Sequence, residues 1–83
     1  MPALPSIAPR VLKRILELRG FAVQHEDDYN WALMKPGLDE VVIVPKLGDV
    51  VALEVLSGAL HAAQIDNRTY FDLLARANAE PSS

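Results

Sequence analysis

The residues best suited to chemistry lie in one short stretch, "HEDDYNW", which covers residues 25–31. It combines a histidine, three adjacent carboxylates, an asparagine and two aromatic rings. Histidine transfers protons near neutral pH because its usual pKa lies close to 7. His25 is therefore a candidate for acid–base catalysis. The other histidine of the chain, His61, falls on the flank of a predicted helix, and we expect it to be an exposed surface residue.

The alternation of residues in the first predicted strand favours a structural role for His25 over a catalytic one. Phe21, Val23 and His25 alternate with Ala22 and Gln24. Successive side chains of a strand point to opposite faces, so His25 is predicted to share a face with Phe21 and Val23. On that face it would be a partly buried histidine with its hydrogen bonds satisfied.

The carboxylates Glu26, Asp27 and Asp28 are ligands of the kind that hard cations prefer. Three adjacent side chains on a turn point in different directions, however, and are difficult to combine into one ligand set. We therefore expect a solvated acidic corner and predict neither a metal nor a cofactor. The sequence also has no glycine-rich phosphate loop.

Five residues are candidates for contact with RNA. Aromatic rings can stack on unpaired bases, and basic side chains can contact phosphates. The candidates are one ring, three cations of the first predicted helix and one cation after the third strand: Trp31, Arg10, Lys13, Arg14 and Lys46. The alternative for Trp31 is a place in the core or an interface, and for the helix cations a solvated face.

The distribution of charge argues against tight RNA binding. The chain carries a net charge of −3, which divides into +3 over residues 1–20 and −6 over the rest. A nucleic-acid-binding domain usually presents a basic stripe across its binding face. Here the basic excess is confined to one helix, so we expect only weak RNA binding.

Length and composition predict one small globular domain. The chain has 83 residues, 51% of them hydrophobic, and no cysteine, which excludes disulfides and thiolate zinc sites. Its first residues lack the pattern of a secretory signal, and no stretch has the roughly 18 apolar residues of a membrane span. We expect a cytoplasmic protein in which residues 1–83 form a single domain, ordered over about 9–77, with frayed termini.

The order of predicted elements is α-β-β-β-α followed by a short α-helix, which defines an α+β fold. The three strands form an antiparallel meander, because their connections are too short for parallel crossovers. The helices lie on one face of this sheet. The second helix is predicted to begin after Asp49 as N-cap, and the third after Asp66. The predicted helices cover residues 9–19 and 50–64, and the predicted strands cover 21–26, 31–35 and 40–45.

Helical and strand periodicities select the same kind of residue for the core. We expect these side chains to be mostly buried: Leu12, Ile15, Phe21, Val23, Leu33, Val42, Val44, Leu56, Leu60 and Leu73.

The order of elements and several short motifs resemble the HicA-like (YcfA-type) toxin family of type II toxin–antitoxin systems. The likeness runs from about residue 10 to residue 74. It is carried by "RGF" at 19–21, "KPG" at 35–37, "VIVPK" at 42–46, "EVLSGALHAAQID" at 54–66 and the aromatic pair at 70–71. The resemblance implies a double-stranded-RNA-binding-domain-like fold, mRNA interferase activity (a metal-independent endoribonuclease and hydrolase) and a HicB-like antitoxin as protein partner.

The chain departs from the family where the chemistry should lie. Counting back from Pro36 aligns the family's "GSHH" motif with residues 28–31, so that Asn30 stands in place of the catalytic histidine. An asparagine side chain cannot transfer a proton at neutral pH, and losing one acid–base partner costs roughly 10²–10⁴-fold in rate. Of the family's basic turn after the third strand, Lys46 is retained.

Three interpretations follow from the resemblance and its departures. The first is a divergent HicA-like domain without efficient RNA cleavage, which keeps the fold and binds an antitoxin-like protein. The second is an active interferase that uses His25 or another group, with Asn30 as the other candidate catalytic position. The third is an unrelated protein-interaction module. A homodimer is a further candidate assembly.

Overall fold

The computed structural model describes residues 7–79 of the chain. The predicted irregular lead-in before Ile7 and the end of the predicted frayed tail, residues 80–83, lie outside the described residues. The predicted α+β order is confirmed. The elements are α1 (Pro9–Leu18), β1 (Ala22–Glu26), β2 (Asn30–Lys35), β3 (Leu38–Pro45), α2 (Leu53–Ala62) and α3 (Asn67–Ala79).

Helix α1 begins and ends where its sequence predicts. Pro9 occupies the first turn, where its missing N–H has no intrahelical partner to lose. Leu12, Ile15 and Leu16 are completely buried. The helix ends before Gly20, whose φ of 95° lies in the left-handed region that glycine adopts without strain.

The three strands form an antiparallel sheet in the order β1-β2-β3. Leu33 in the central strand lies between Val23 of β1 and Val42 of β3. Leu33, Val42 and Val44 are buried on the inner face, which the helices cover, whereas Ile43 on the outer face is about half exposed. The prediction that the helices cover one face of the sheet is confirmed.

A β-bulge in β1 makes the predicted position of His25 wrong. Val23 is opposite Leu33 but His25 is opposite Ala32, so Gln24 is an extra residue in this strand. The extra residue places the His25 side chain and the Val23 side chain on different faces of the sheet. His25 is therefore exposed on the outer face of the sheet instead of partly buried on the inner one.

Helix α2 is shorter than the predicted span of residues 50–64. It begins at Leu53, and its N-cap is Ala52, which makes no side-chain capping bond, so the predicted cap at Asp49 is wrong. The preceding segment is held in another way: Val51 is buried, and its N–H donates to the carbonyl of Ile7 at 2.8 Å. That contact keeps the chain extended where the sequence pattern alone allows a further helical turn.

Helix α3 is the longest helix of the described chain, with 13 residues, so the prediction of a short helix is wrong. Its predicted cap is confirmed, because the Asp66 carboxylate accepts a hydrogen bond from the Thr69 N–H at 2.7 Å. Tyr70 and Leu73 are buried. The helix packs mainly against α1.

The predicted core is confirmed at nine of ten positions, and the tenth, Val23, is partly buried and packs against the others. Within residues 7–79 the buried set contains no charged side chain. Over the same residues, none of the helices is both long enough and apolar enough to cross a membrane.

Two leucines of α2 give a matched test of this core. Leu56 is 1% exposed and Leu53 is 55% exposed. We expect Leu56→Ala to lower the free energy of unfolding by about 2–5 kcal/mol because it leaves a cavity. Leu53→Ala makes the same change in the same helix at an exposed site and should cost less than about 0.5 kcal/mol. Chemical denaturation measures both, and equal losses would contradict the assigned packing of α2.

Candidate functional site at the corner between the first two strands

The acidic corner is a turn that its own carboxylate holds together. The Asp27 side chain accepts hydrogen bonds from the backbone N–H groups of Tyr29 and Asn30, both at 2.8 Å. The Asp27 N–H in turn donates to the carbonyl of Asn30 at 3.0 Å. The backbone bonds from Tyr29 and Asn30 lower the pKa of Asp27. The local sequence therefore builds this turn, since aspartate readily bonds the backbone two or three residues ahead.

Trp31 lies directly after this turn, on the inner face of the sheet, where it is half-buried against the core. Two ammonium groups lie over its ring: Lys13 Nζ is 5.4 Å from the ring centroid and Lys46 Nζ is 5.3 Å from it. Each such contact is worth about 0.5–1 kcal/mol at an exposed site. The fold thus brings together three of the five predicted RNA contacts from α1, β2 and the end of β3.

Both lysines also have carboxylate partners. Lys46 Nζ donates to Glu26 Oε2 at 2.6 Å, and this hydrogen bond lowers the pKa of Glu26. Lys13 Nζ lies 3.4 Å from Glu17, which also lies 3.7 Å from Arg14. A base that stacked on Trp31 would have to displace a lysine that is already paired. The cluster therefore stabilises the end of the sheet more readily than it offers a free cationic ring platform.

Two predicted RNA contacts remain, and the first of them, Arg10, is exposed on α1 with no contact to Trp31 in the structure. Arg14 approaches the cluster through Glu17. The fold therefore brings only part of the predicted set of RNA contacts together around Trp31.

The candidate catalytic residues are not assembled with this cluster. His25 pairs with Ala32 and is exposed on the outer face of the sheet, whereas Trp31 is on the inner face. Asn30 is half-buried, and its backbone is fixed by the Asp27 turn. His61 is exposed on α2, as predicted.

No group of three or more histidine and carboxylate side chains within residues 7–79 is arranged to hold a metal ion. Glu26 is turned to Lys46, and Asp27 is turned to the backbone of its own turn. Glu26 and Asp27 therefore have separate partners.

An open cleft of about 190 Å³ lies at the other end of β2 and includes Arg19, Lys35 and Gln64 in its lining. The cleft is next to the C-terminal ends of α1 and α2, which carry partial negative charge that cations stabilise. The pKa of Asp66 is lowered mainly by the hydrogen bond from the Thr69 N–H, and the charge of Arg19 adds to this effect.

Sequence patterns did not predict the exposed aliphatic residues between β3 and α2. Leu47, Val50 and Leu53 are 63%, 56% and 55% exposed. Tyr29 is 63% exposed, and its carbonyl accepts a hydrogen bond at 2.8 Å from the N–H of Lys46, the residue before Leu47. Leu53 lies within the predicted second helix, but α2 begins only at this residue, and its side chain is outside the core. We call Tyr29, Leu47, Val50 and Leu53 the apolar patch.

Comparison of the chain with models of known families, with curated proteins and with solved structures gives no match. The resemblance to the HicA-like family therefore stays a prediction from the sequence motifs.

The Asp27 turn predicts a dependence of stability on pH. Because the pKa of Asp27 in the folded protein lies below its usual 3.8, the bonds to its carboxylate stabilise the fold fully above that pH. Their contribution is lost as the pH falls through the folded pKa. We expect Asp27→Ala to be less stable than wild type at neutral pH, with a difference that shrinks in acid.

Thermal unfolding across the acid range measures this difference. Asp28→Ala is the matched control, because the structure shows no hydrogen bond donated to the Asp28 carboxylate. An equal loss of stability in Asp28→Ala at neutral pH would mean that charge, and not the turn bonds, is responsible.

RNA binding is expected to be weak. We predict a Kd above about 1 μM for generic RNA at physiological salt, because the lysines near Trp31 are already paired with carboxylates. Fluorescence anisotropy of a labelled RNA measures the affinity. Tighter binding, with a salt dependence that Lys13→Ala and Arg14→Ala reduce, would instead identify the basic face of α1 as an RNA contact.

Proposed function

We propose that this protein is a HicA-like domain that does not cleave RNA efficiently and that binds a protein partner. Its sheet and helices would be a variant of the double-stranded-RNA-binding-domain-like fold. The observation that carries the proposal is the state of Asn30, which stands at the family's catalytic position and is part of a turn closed by the Asp27 carboxylate.

The fold supports the family assignment. The meander follows α1 directly, the Pro36–Gly37 turn joins β2 to β3, and α2 returns across the sheet. This is the order that the resemblance implies. The added length of α3 is an extension after the shared elements.

The arrangement of side chains supports the absence of cleavage. The amide of Asn30 cannot act as an acid or a base at neutral pH, and His25 is exposed on the other face of the sheet from Trp31 and its two lysines. Metal-independent cleavage needs a base for the 2′-hydroxyl and an acid for the leaving oxygen at the same phosphate. Asn30 supplies neither group, and His25 does not share a face with the cluster of predicted RNA contacts.

The surface supports a protein partner over RNA. Leu47 occupies the turn in which the resemblance implies basic residues, and it is among the most exposed hydrophobic side chains of the described chain. Clustered exposed hydrophobic side chains usually mark contacts with another protein. Such a surface gives phosphates nothing to bind.

The test of cleavage is inducible expression in a bacterial host, with growth and bulk mRNA followed over time, together with incubation of purified protein with RNA. We expect neither growth arrest nor RNA cleavage for wild type. Asn30→His should also be inactive, since the glycine, serine and second histidine of the family motif are missing, and a catalytic group must be held to within about 0.5 Å.

The matched variant is His25→Ala. If wild type arrests growth and folded His25→Ala does not, the protein is an enzyme that uses His25, and the proposal is wrong. If Asn30→His alone gains activity, the family fold is supported and the missing activity is assigned to one residue.

A further inference from the structure

We infer that the apolar patch is the docking surface for a basic, amphipathic segment of the protein partner. This inference rests on the proposed function, because it specifies the chemistry of the partner proposed there. It assigns a surface that neither the predicted RNA contacts nor the candidate catalytic residues include.

Three of the four residues of the apolar patch lie in one chain segment, which is attached to the core at Val51. Leu47 and Val50 lie in one succession of bends, and Leu53 begins α2. Behind them Val51 is buried and its N–H is bonded to the carbonyl of Ile7. The exposed side chains therefore project from a backbone that is fixed to the core, which limits the entropy lost when a partner binds.

Exposed carboxylates neighbour the apolar patch residues in the chain. Asp49 lies between Leu47 and Val50, Glu54 follows Leu53, and Asp27 and Asp28 precede Tyr29, and all four acidic residues are exposed. We call these four acidic residues the rim carboxylates. Lys46, which precedes Leu47, is paired with Glu26, so this ion pair adds no net positive charge to the segment. A partner that covers the apolar side chains is therefore expected to place positive charges beside the rim carboxylates.

These features fit an amphipathic helix with an apolar stripe and lysine or arginine beside it. Apolar residues spaced at i, i+3, i+4 and i+7 form such a stripe, which can cover a short row of side chains. The exposed aliphatic residues supply the hydrophobic contact, and the rim carboxylates select a basic partner over an acidic one.

The same charges disfavour the other classes of partner. RNA and the anionic surface of a membrane would both meet the rim carboxylates with like charge. A second copy would have to offer its basic helix α1, where Arg10 is exposed but the apolar residues Leu12 and Ile15 are buried. Helix α1 therefore lacks an exposed apolar stripe. If two apolar patches faced each other, the rim carboxylates of the two copies would repel one another.

The experiment uses the full chain and a designed helical peptide of leucine and lysine with an amphipathic pattern. The control peptides are a scrambled sequence of the same composition and an amphipathic peptide with glutamate in place of lysine. Anisotropy of the labelled peptide gives the affinity, and the fluorescence of Trp31, the single tryptophan of the chain, reports binding near Lys46. We expect micromolar binding of the first peptide at physiological salt and at least about tenfold weaker binding of both controls.

Variants of the protein localise the contact. Leu47→Ser combined with Leu53→Ser should weaken binding about tenfold or more, as should Asp49→Asn combined with Glu54→Gln, which should also reduce the salt dependence. Ile43→Ser is the matched control, because Ile43 is 49% exposed on the outer face of the sheet. It should change the affinity less than about twofold.

Several outcomes would overturn the inference. They are equal binding of the scrambled peptide, equal loss in Ile43→Ser, preferential binding of RNA or of anionic vesicles, and a dimer in sedimentation that Leu47→Ser abolishes. Failure of the peptide to bind while RNA stays intact would reject this partner chemistry and leave the absence of cleavage unaffected. RNA cleavage would reject the proposed function, and the peptide measurement, made without RNA, would still report on the apolar patch.

Discussion

The structure depends on covering one face of a small three-stranded sheet. An 83-residue chain has a single core and can bury only about 60–65% of the surface that its unfolded form exposes. Leu33 in the central strand is completely buried at the middle of this core, between residues of both neighbouring strands. Helices α1 and α2 cover this face, and α3 packs on α1. Which candidate side chains can lie together depends on whether they are on this covered face or on the exposed one.

One-sided burial decides which residues can share a site. Trp31 is on the covered face, at the end where Lys13 from α1 and Lys46 after β3 meet its ring. His25 would have been on the same face without the bulge at Gln24, and the bulge turns it away. A single extra residue in an edge strand therefore places the candidate proton-transferring side chain on the other face of the sheet from Trp31 and its two lysines.

The chemistry of the corner follows from how its charges are already satisfied. Asp27 is held by the backbone of its own turn, and Glu26 by Lys46. Groups with such partners contribute to the stability of the turn and of the strand ends, and they are poor candidates for proton transfer or for metal binding. The side chains of the apolar patch are outside the core, and burial of exposed hydrophobic surface is the usual driving force of protein association. We therefore consider a protein-binding role more consistent with this surface than a catalytic one.

The sequence by itself determined the class of the fold and nearly all of the core. Helical and strand periodicities are local, so they identified Leu12, Leu33 and Leu56 as buried, and turn residues such as Gly20 and Asp66 marked where helices end and begin. Tertiary structure alone decided the face of His25, the late start of α2 and the exposure of Leu53. These depend on strand register and on the contact of Val51 with Ile7, which joins residues far apart in the chain and leaves no periodic signal in the sequence around either of them.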